Sequence, residues 1–202
     1  MTANPRAAFF DGIADKWDGW EDLEVLRQRM ASGLREIGLG AGETVLDVGC
    51  GTGNLTLALL DQLSPAGRVH AVDLSRRMIE VARAKVADDR VSWHVEDARR
   101  LPLAAASCDR VLCFSVWPHF EDRRAVTTEL MRILRPGGSL HVWHLSGRQR
   151  INEIHATAGE AVRGDVLPPA GETADLLAAM GLRVTAAVDA ADRYLVTAVK
   201  DS

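Results

Sequence analysis

Apolar residues recur at helical spacing along the first forty residues of the chain. They form two stripes: Phe10, Ile13, Ala14 and Trp17, and then Leu23, Leu26, Met30, Leu34 and Ile37. Residues that share one face of a helix recur every three or four positions, so each stripe predicts an amphipathic helix. Gly38 and Gly40 follow the second stripe and are typical of a helix end. The pattern therefore predicts two helices before residue 41.

From residue 44 onwards, short apolar runs alternate with helical patterns. A short, continuous apolar run is typical of a strand that is buried on both faces. Strands are predicted at 44–48, 68–73, 91–96, 110–115, 139–145, 182–188 and 194–199, with helices between most of them. The alternation indicates an α/β fold with a mostly parallel sheet and helices on both faces. Only a short turn separates the last two strands, so we expect a hairpin and one antiparallel strand.

Glycines occupy alternate positions directly after the strand predicted at 44–48. These are Gly49, Gly51 and Gly53, and a helical pattern begins immediately after them. Glycine is needed where a ligand approaches the backbone closely or where φ is positive. Asp73 ends the next predicted strand, where its carboxylate can accept hydrogen bonds from both hydroxyls of a ribose. Because ligands of open α/β sheets bind beyond the carboxyl ends of the strands, these residues predict a nucleotide-type cofactor site.

Two cofactors fit a loop of this kind. A dinucleotide fingerprint has the spacing G-x-G-x-x-G, but Gly53 comes one residue early for that spacing and Asn54 takes the expected position. Asp47 lies just before the loop, and a carboxylate there suits a cationic ligand, such as the amino group of a methionine moiety, better than a pyrophosphate. An NAD-dependent oxidoreductase is therefore the alternative to a methionine-derived cofactor.

The segment 45–54 resembles motif I of the class I S-adenosylmethionine (SAM)-dependent methyltransferases. Further similarity occurs at 71–75, 96–98, 108–111 and 134–138. The resemblance implies a Rossmann-like sheet of seven strands, of which the last is antiparallel, with SAM as the cofactor. It also implies cofactor contacts: Asp47, Gly49, Gly51 and Gly53 at the methionine end, Asp73 at the ribose, Leu74 and Met78 beside the adenine, Asp97 and Ala98 at its amino group, and Ser115 beside the sulfonium. Met78 is equally compatible with a plain core position.

We expect one methyltransferase domain over 1–202, because no stretch is long enough to be an interdomain linker. The resemblance implies that 1–40 forms a helical lid and that 41–202 forms the SAM-binding core, with an acceptor-side insert at about 146–171. Trp17 is expected to line the acceptor pocket, although packing of the helices onto the sheet also explains it. Family members that methylate exocyclic amines usually carry Asn/Asp-Pro-Pro-aromatic after the fourth strand. The segment 115–120 departs from that pattern, which favours a small-molecule acceptor.

Candidate acceptor residues lie near the carboxyl ends of the fourth and fifth predicted strands. Arg148, Asn152 and His155 fall at i, i+4 and i+7 if the segment after the fifth strand is helical. Together with His144 and His119 they predict an acceptor site with a catalytic histidine, whose ordinary pKa suits a general base. We expect no metal, since no cysteine joins the histidines. The atom that receives the methyl group (O, S, C, N or a metalloid) stays open, as does a non-catalytic SAM-binding regulatory protein.

Composition limits the kinds of binding partner and the cellular compartment that we expect for this chain. The 202 residues contain 24 Lys and Arg and 28 Asp and Glu, a formal charge of −4, which gives no general attraction to nucleic acid. There is no apolar run long enough for a membrane span and no hydrophobic region typical of a signal peptide. Three cysteines without metal-ligand spacing, Cys50, Cys108 and Cys113, read as reduced thiols. We therefore expect a cytoplasmic protein. The sequence does not indicate its oligomeric state.

Overall fold

The computed structural model describes residues 4–201, which fall into two compact units. One unit ends at Asp97 and the other begins at Ala98. Within the described range, none of the helices has both the length and the apolar character that a bilayer span needs.

The first unit contains the two predicted amino-terminal helices and three parallel strands. Its elements are α1 (Pro5–Trp17), α2 (Leu23–Glu36), β1 (Thr44–Val48), α3 (Asn54–Leu60), β2 (Arg68–Asp73), α4 (Arg76–Lys85) and β3 (Val91–Val95). A one-turn 3-10 helix, Asp18–Trp20, follows α1. Side-chain caps begin three of these helices: Asn4 accepts from two backbone amides of α1, Asp22 does the same for α2, and Ser75 caps α4.

The second unit contains the remaining strands and three helices. Its elements are β4 (Cys108–Phe114), α5 (Arg123–Ile133), β5 (Leu134–His144), α6 (Arg148–Thr157), α7 (Ala170–Ala179), β6 (Arg183–Asp189) and β7 (Tyr194–Val199). A 3-10 turn, Trp117–His119, follows β4. β4 and β5 pair in parallel, while β7 pairs antiparallel with both β5 and β6. The predicted hairpin at the end of the chain is therefore confirmed.

The strands form a seven-stranded sheet in the order β3-β2-β1-β4-β5-β7-β6. Only β7 runs antiparallel, which confirms the predicted Rossmann-like α/β class and its antiparallel last strand. The burial of the strands explains their patterns in the sequence. β1 is almost wholly buried and reads as a continuous apolar run, whereas burial alternates along β6.

Several predicted strand boundaries differ from the structure by one or two residues, and that of β5 differs most. β5 begins at Leu134, ahead of the predicted 139–145, because Leu134 already pairs with Cys108 before a register shift. The Pro-Gly-Gly turn at 136–138 is thus part of an irregular strand. Gly137 adopts a φ of 78°, and its amide donates to the Lys200 carbonyl. The segment after the fifth strand is helical, as the stripe of Arg148, Asn152 and His155 requires, and α6 begins at Arg148 and ends at Thr157.

Candidate cofactor loop and histidine cluster

The loop after β1 has the backbone that its glycines predict. Gly49, Gly51 and Gly53 all have positive φ, at 68°, 52° and 81°. This region is strained for residues with a side chain. A Cβ added at Gly53 would lie 3.2 Å from the Ala82 Cβ and 3.2 Å from Trp93, whereas one added at Gly51 would meet nothing within 4 Å. Gly53 is thus needed for packing, and Gly51 borders open space that a ligand can occupy.

Asp73 holds this loop from the end of β2. One carboxylate oxygen accepts from the Gly51 amide at 2.9 Å, and the other accepts from the Ser75 amide at 2.8 Å. Both oxygens of the carboxylate thus contact backbone amides that follow β1 and β2. The predicted contact of Asp73 with a ribose fits this geometry and stays a prediction.

Asp47 lies beneath the loop. Its side chain is 1% exposed, and Oδ2 accepts a hydrogen bond from the Thr56 hydroxyl at 2.7 Å. Burial raises the pKa of Asp47 to about 7, although the Thr56 hydrogen bond acts in the opposite direction. Direct contact between Asp47 and a ligand stays a prediction, and this burial argues against it.

A polar cluster joins the end of α1 to the glycine loop. Asp18 accepts from the Thr52 hydroxyl at 2.6 Å and from the Asn54 side-chain amide at 3.0 Å, and its other oxygen pairs with Lys85 at 2.7 Å. Lys85 also donates to Asn54 Oδ1 at 2.7 Å. Burial would raise the pKa of Asp18, but the hydrogen bonds from Lys85, Thr52 and Asn54 outweigh it and the pKa is lowered. The sequence analysis missed Thr52, Asn54 and Lys85, because their polar types are ordinary around a loop and only the fold brings them to Asp18.

The other predicted cofactor residues of the first unit lie near the carboxyl end of β2 or just after β3. Leu74 and Asp97 are half-buried, while Met78 in α4 is 2% exposed, as a core side chain is. In the α1 region, the half-buried Trp17 packs against Phe10 and Trp20 at ring-centroid distances of 6.1 and 5.5 Å. The roles of these residues in ligand binding stay predictions.

In the second unit, Ala98 is half-buried and Ser115 is exposed at the end of β4. Ser115 has a φ of 54°, although it is not a glycine, and its amide donates to the Trp143 carbonyl at 2.9 Å. Strained backbone of this kind is concentrated at functional sites. The conformation therefore supports the predicted functional role of Ser115.

The structure brings two of the predicted catalytic histidines, His119 and His155, together at Asp165, and His144 lies near both of them. His119 Nδ1 lies 2.7 Å from Asp165 Oδ2, and His155 Nδ1 lies 2.8 Å from the Asp165 backbone carbonyl. The rings of His119 and His155 are 4.9 Å apart. Asp165 was not among the predicted site residues, because a pairing across 46 positions leaves no signal in a single sequence.

His144 lies at the end of β5, 1% exposed, with its ring edge-to-face against Tyr194 at 5.7 Å. Within residues 4–201, neither of its ring nitrogens has a hydrogen-bond partner. Burial lowers the pKa of His144 to about 3, and the neighbouring His119 and His155 act in the same direction. His144 is therefore neutral at physiological pH.

The remaining predicted acceptor residues have protein partners. Arg148 pairs with Asp189 at 2.9 Å. The side-chain Nδ2 of Asn152 donates to the Leu167 carbonyl at 3.1 Å, and its Oδ1 accepts from the Leu167 amide at 2.8 Å. Both residues lie on α6 with His155, as predicted, and Asn152 supports the loop that carries Asp165. Their contact with an acceptor stays a prediction. Over the described part of the chain, no group of three or more His, Cys, Asp or Glu residues could hold a metal ion.

Comparisons with known proteins agree with the fold and with the loop. Residues 45–138 match the family model of the methyltransferase domain. The chain is 35% identical over 76% of its length to the methyltransferase GfsG of Streptomyces halstedii, and 32% identical over 84% of its length to an O-methyltransferase of Pyrenophora dematioidea. It spans 57% and 68% of the lengths of these two relatives.

A solved structure shows the same fold. A SAM-dependent methyltransferase from Aquifex aeolicus is 23% identical with a TM-score of 0.76, and the alignment covers 92% of this chain and 97% of that one. The fold and the relatives together define the class of protein. The chain belongs to the family of class I SAM-dependent methyltransferases. S-adenosylmethionine is the cofactor of that family, and the open space beside Gly51 and the carboxylate of Asp73 fit it.

Proposed function

We propose that this chain transfers a methyl group from SAM to a small-molecule acceptor. The observation that carries the proposal is the loop after β1, in which three left-handed glycines lie beside a carboxylate at the end of β2. The NAD alternative lacks comparable support. Gly53 packs against α4 one residue early for a dinucleotide fingerprint, and none of the relatives named above is an oxidoreductase.

The task of the protein in such a reaction is mainly to position the reactants. SAM supplies a methyl group activated by its sulfonium. Holding the acceptor atom about 3 Å from that carbon in the correct orientation accounts for much of the rate. Asp73, the glycine loop and Ser115 would contact the cofactor, and the three histidines of the second unit are the candidates for binding the acceptor.

A small acceptor is favoured over nucleic acid. The net charge of −4 gives no general attraction to a phosphate backbone, and 115–120 lacks the motif of amine-modifying relatives. One relative is named an O-methyltransferase, which favours oxygen among the acceptor atoms that the sequence leaves open. Cys50, Cys108 and Cys113 are buried thiols, which supports a reducing compartment such as the cytoplasm.

The first test is thermal unfolding with SAM, S-adenosylhomocysteine and NAD in parallel. A ligand at about 100 times its dissociation constant adds about 2.7 kcal/mol to the free energy of unfolding. We expect a shift with the two adenosyl ligands and none with NAD. Asp73→Asn should reduce the shift strongly, because it removes the charge that holds the loop and the ribose. Asp89→Asn, an exposed carboxylate of the same unit, is the matched control.

The alternatives make different predictions. A shift with NAD alone would overturn the family's cofactor for this chain. Adenosyl binding without methyl transfer to any of a broad set of small acceptors would favour a regulatory protein that only binds SAM.

A further inference from the structure

The contact between His119 and Asp165 has the geometry of a base and its positioning partner. The two side chains meet at 2.7 Å, with 14% and 3% of their side-chain surfaces exposed. An ionised carboxylate only accepts hydrogen bonds, so the imidazole nitrogen that faces it carries the proton. The proton is thereby fixed on Nδ1 of His119, which makes Nε2 the acceptor nitrogen of the ring.

Asp165 fixes a second histidine through a different atom. Its backbone carbonyl accepts from Nδ1 of His155 at 2.8 Å, so Nε2 of His155 is also the acceptor nitrogen. Burial lowers the pKa of His155, although the hydrogen bond to Asp165 acts in the opposite direction. One residue therefore sets the tautomers of two neighbouring rings, through its side chain and through its backbone.

The surroundings indicate that a ligand completes this cluster. His144 is almost fully buried without a hydrogen-bond partner among the described residues, and such groups in proteins are nearly always paired. Trp117 Nε1 is likewise buried without a partner, and Trp117 packs edge-to-face on Phe120 at 5.6 Å. Buried polar groups of this kind, each packed against one aromatic ring, suit a flat acceptor that carries oxygen.

We propose that His119 is the general base of methyl transfer, that Asp165 is its positioning residue, and that the acceptor is a phenolic or enolic hydroxyl. This proposal rests on the function proposed above. The acceptor oxygen forms the new bond to the methyl carbon, and the carbon–sulfur bond breaks with its electron pair going to sulfur. The hydroxyl proton passes to Nε2 of His119 and then to solvent.

A base at this position distinguishes acceptor classes. A phenol has a pKa near 10 and must lose its proton as it takes the methyl group, and an imidazole suits that transfer. A neutral amine offers its lone pair without first losing a proton. The positioned base would therefore add nothing for an amine and much for a hydroxyl.

The dyad can be tested without an acceptor. In the full chain with ¹⁵N-labelled histidine, NMR at pH 8 should show His119 and His155 protonated on Nδ1 alone. Asp165→Ala should give His119 a mixture of tautomers and leave His155 unchanged, since the partner of His155 is a backbone carbonyl. Asp175→Ala, which removes an exposed carboxylate on α7, should change neither ring. An unchanged His119 spectrum in Asp165→Ala would overturn the dyad.

The acceptor class is tested with matched pairs of phenols and anilines: phenol and aniline, catechol and 2-aminophenol, and 1-naphthol and 1-naphthylamine. We expect methylation on oxygen. His119→Gln should lower kcat about 100-fold or more on the phenol that is turned over best. The loss of kcat caused by His119→Gln should be far smaller on 4-nitrophenol, because that phenol is already ionised at pH 8. Asp165→Ala should lower kcat with little change in KM.

Methylation on nitrogen, no methylation of any phenol, or equal losses on phenol and 4-nitrophenol would each overturn the proposal. Calorimetric titration with SAM separates this failure from failure of the proposed function. If SAM does not bind the unsubstituted protein, the proposed function is wrong, whereas SAM binding that His119→Gln leaves intact assigns any lost turnover to the acceptor side.

Discussion

Individual residues in this chain combine burial with polar chemistry in ways that composition does not reveal. Asp47 is a carboxyl beneath the glycine loop, and burial raises its pKa to about 7. Ser115 holds a left-handed backbone conformation at the end of β4. Both were predicted as site residues from a motif. Their energetic character comes from the fold, because burial and backbone conformation depend on neighbours distant in sequence.

Asp47 should make stability depend on pH. Its folded pKa lies above the unfolded value near 3.8, so the folded state binds the proton more tightly. The stability contributed by the protonated carboxyl is full below about pH 4 and is lost as pH rises towards 7, by up to about 4 kcal/mol. Asp47→Asn should flatten the fall in unfolding free energy between pH 4 and pH 8. Urea unfolding at several pH values measures this change.

The exposed Asp89→Asn variant is the control for Asp47→Asn, and its unfolding free energy should fall with pH as that of the unsubstituted protein does. If Asp47→Asn leaves this dependence on pH unaltered, Asp47 is ionised in the folded state.

The glycine loop is the element in which sequence and structure agree most closely. The three alternate glycines predicted positive φ and close approach, and all three have positive φ. Its two ends serve different purposes, because Gly53 faces Ala82 and Trp93 while Gly51 faces open space. Spacing alone cannot separate these purposes, since the neighbours of Gly53 come from α4 and β3.

Alanine substitutions should separate packing from ligand binding in this loop. Gly53→Ala adds a contact at 3.2 Å to a left-handed backbone, and we expect it to cost about 2 kcal/mol of unfolding free energy. Gly51→Ala should cost about 1 kcal/mol, from backbone strain alone. It should nevertheless weaken SAM binding more than Gly53→Ala does, because its Cβ enters the space left for the ligand. Urea unfolding and calorimetric SAM titration compare the pair, and the opposite ranking in affinity would refute this division of roles.

The histidine cluster shows where prediction from sequence stops. His119, His144 and His155 were singled out because they lie near the ends of predicted strands and on a helical stripe, and the structure brings them together. Asp165 lies in a loop without a motif, and its two contacts depend on the placement of α6 and of the turn after β4. Arg148 and Asn152 lie on the same stripe, but Arg148 pairs with Asp189 and Asn152 hydrogen-bonds to Leu167. Helical periodicity predicts which face of the helix a residue lies on, but it does not predict the residue's partner.

For the whole molecule, alternation of strands and helices was enough to predict the class of fold. Every predicted strand is present, and the closing hairpin follows from its short turn. The irregular start of β5 was missed, because Pro and Gly at 136–138 are typical of a helix end and only the pairing of Leu134 with Cys108 continues the strand. The choice of a single domain stays a prediction.

The net charge of the whole molecule predicts how it interacts with nucleic acid. With 24 basic and 28 acidic side chains, the protein should not retain nucleic acid through backbone phosphates. We expect no shift of a labelled transfer RNA in gel electrophoresis with micromolar protein at about 0.15 M salt. A retained RNA, with an affinity that falls steeply as salt increases, would revive an RNA acceptor.

The contacts of Asp18 have a consequence for the coupling of ligand affinity to the opening of α1. One carboxylate ties the end of α1 to Thr52, Asn54 and Lys85, so the amino-terminal helix and the glycine loop are hydrogen-bonded to each other. A molecule that stabilises this loop conformation must, by reciprocity, make the opening of the helix less favourable, and a helix held in place must raise the affinity for that molecule. The protection of α1 amides from hydrogen exchange and the affinity for a bound nucleoside would then change together.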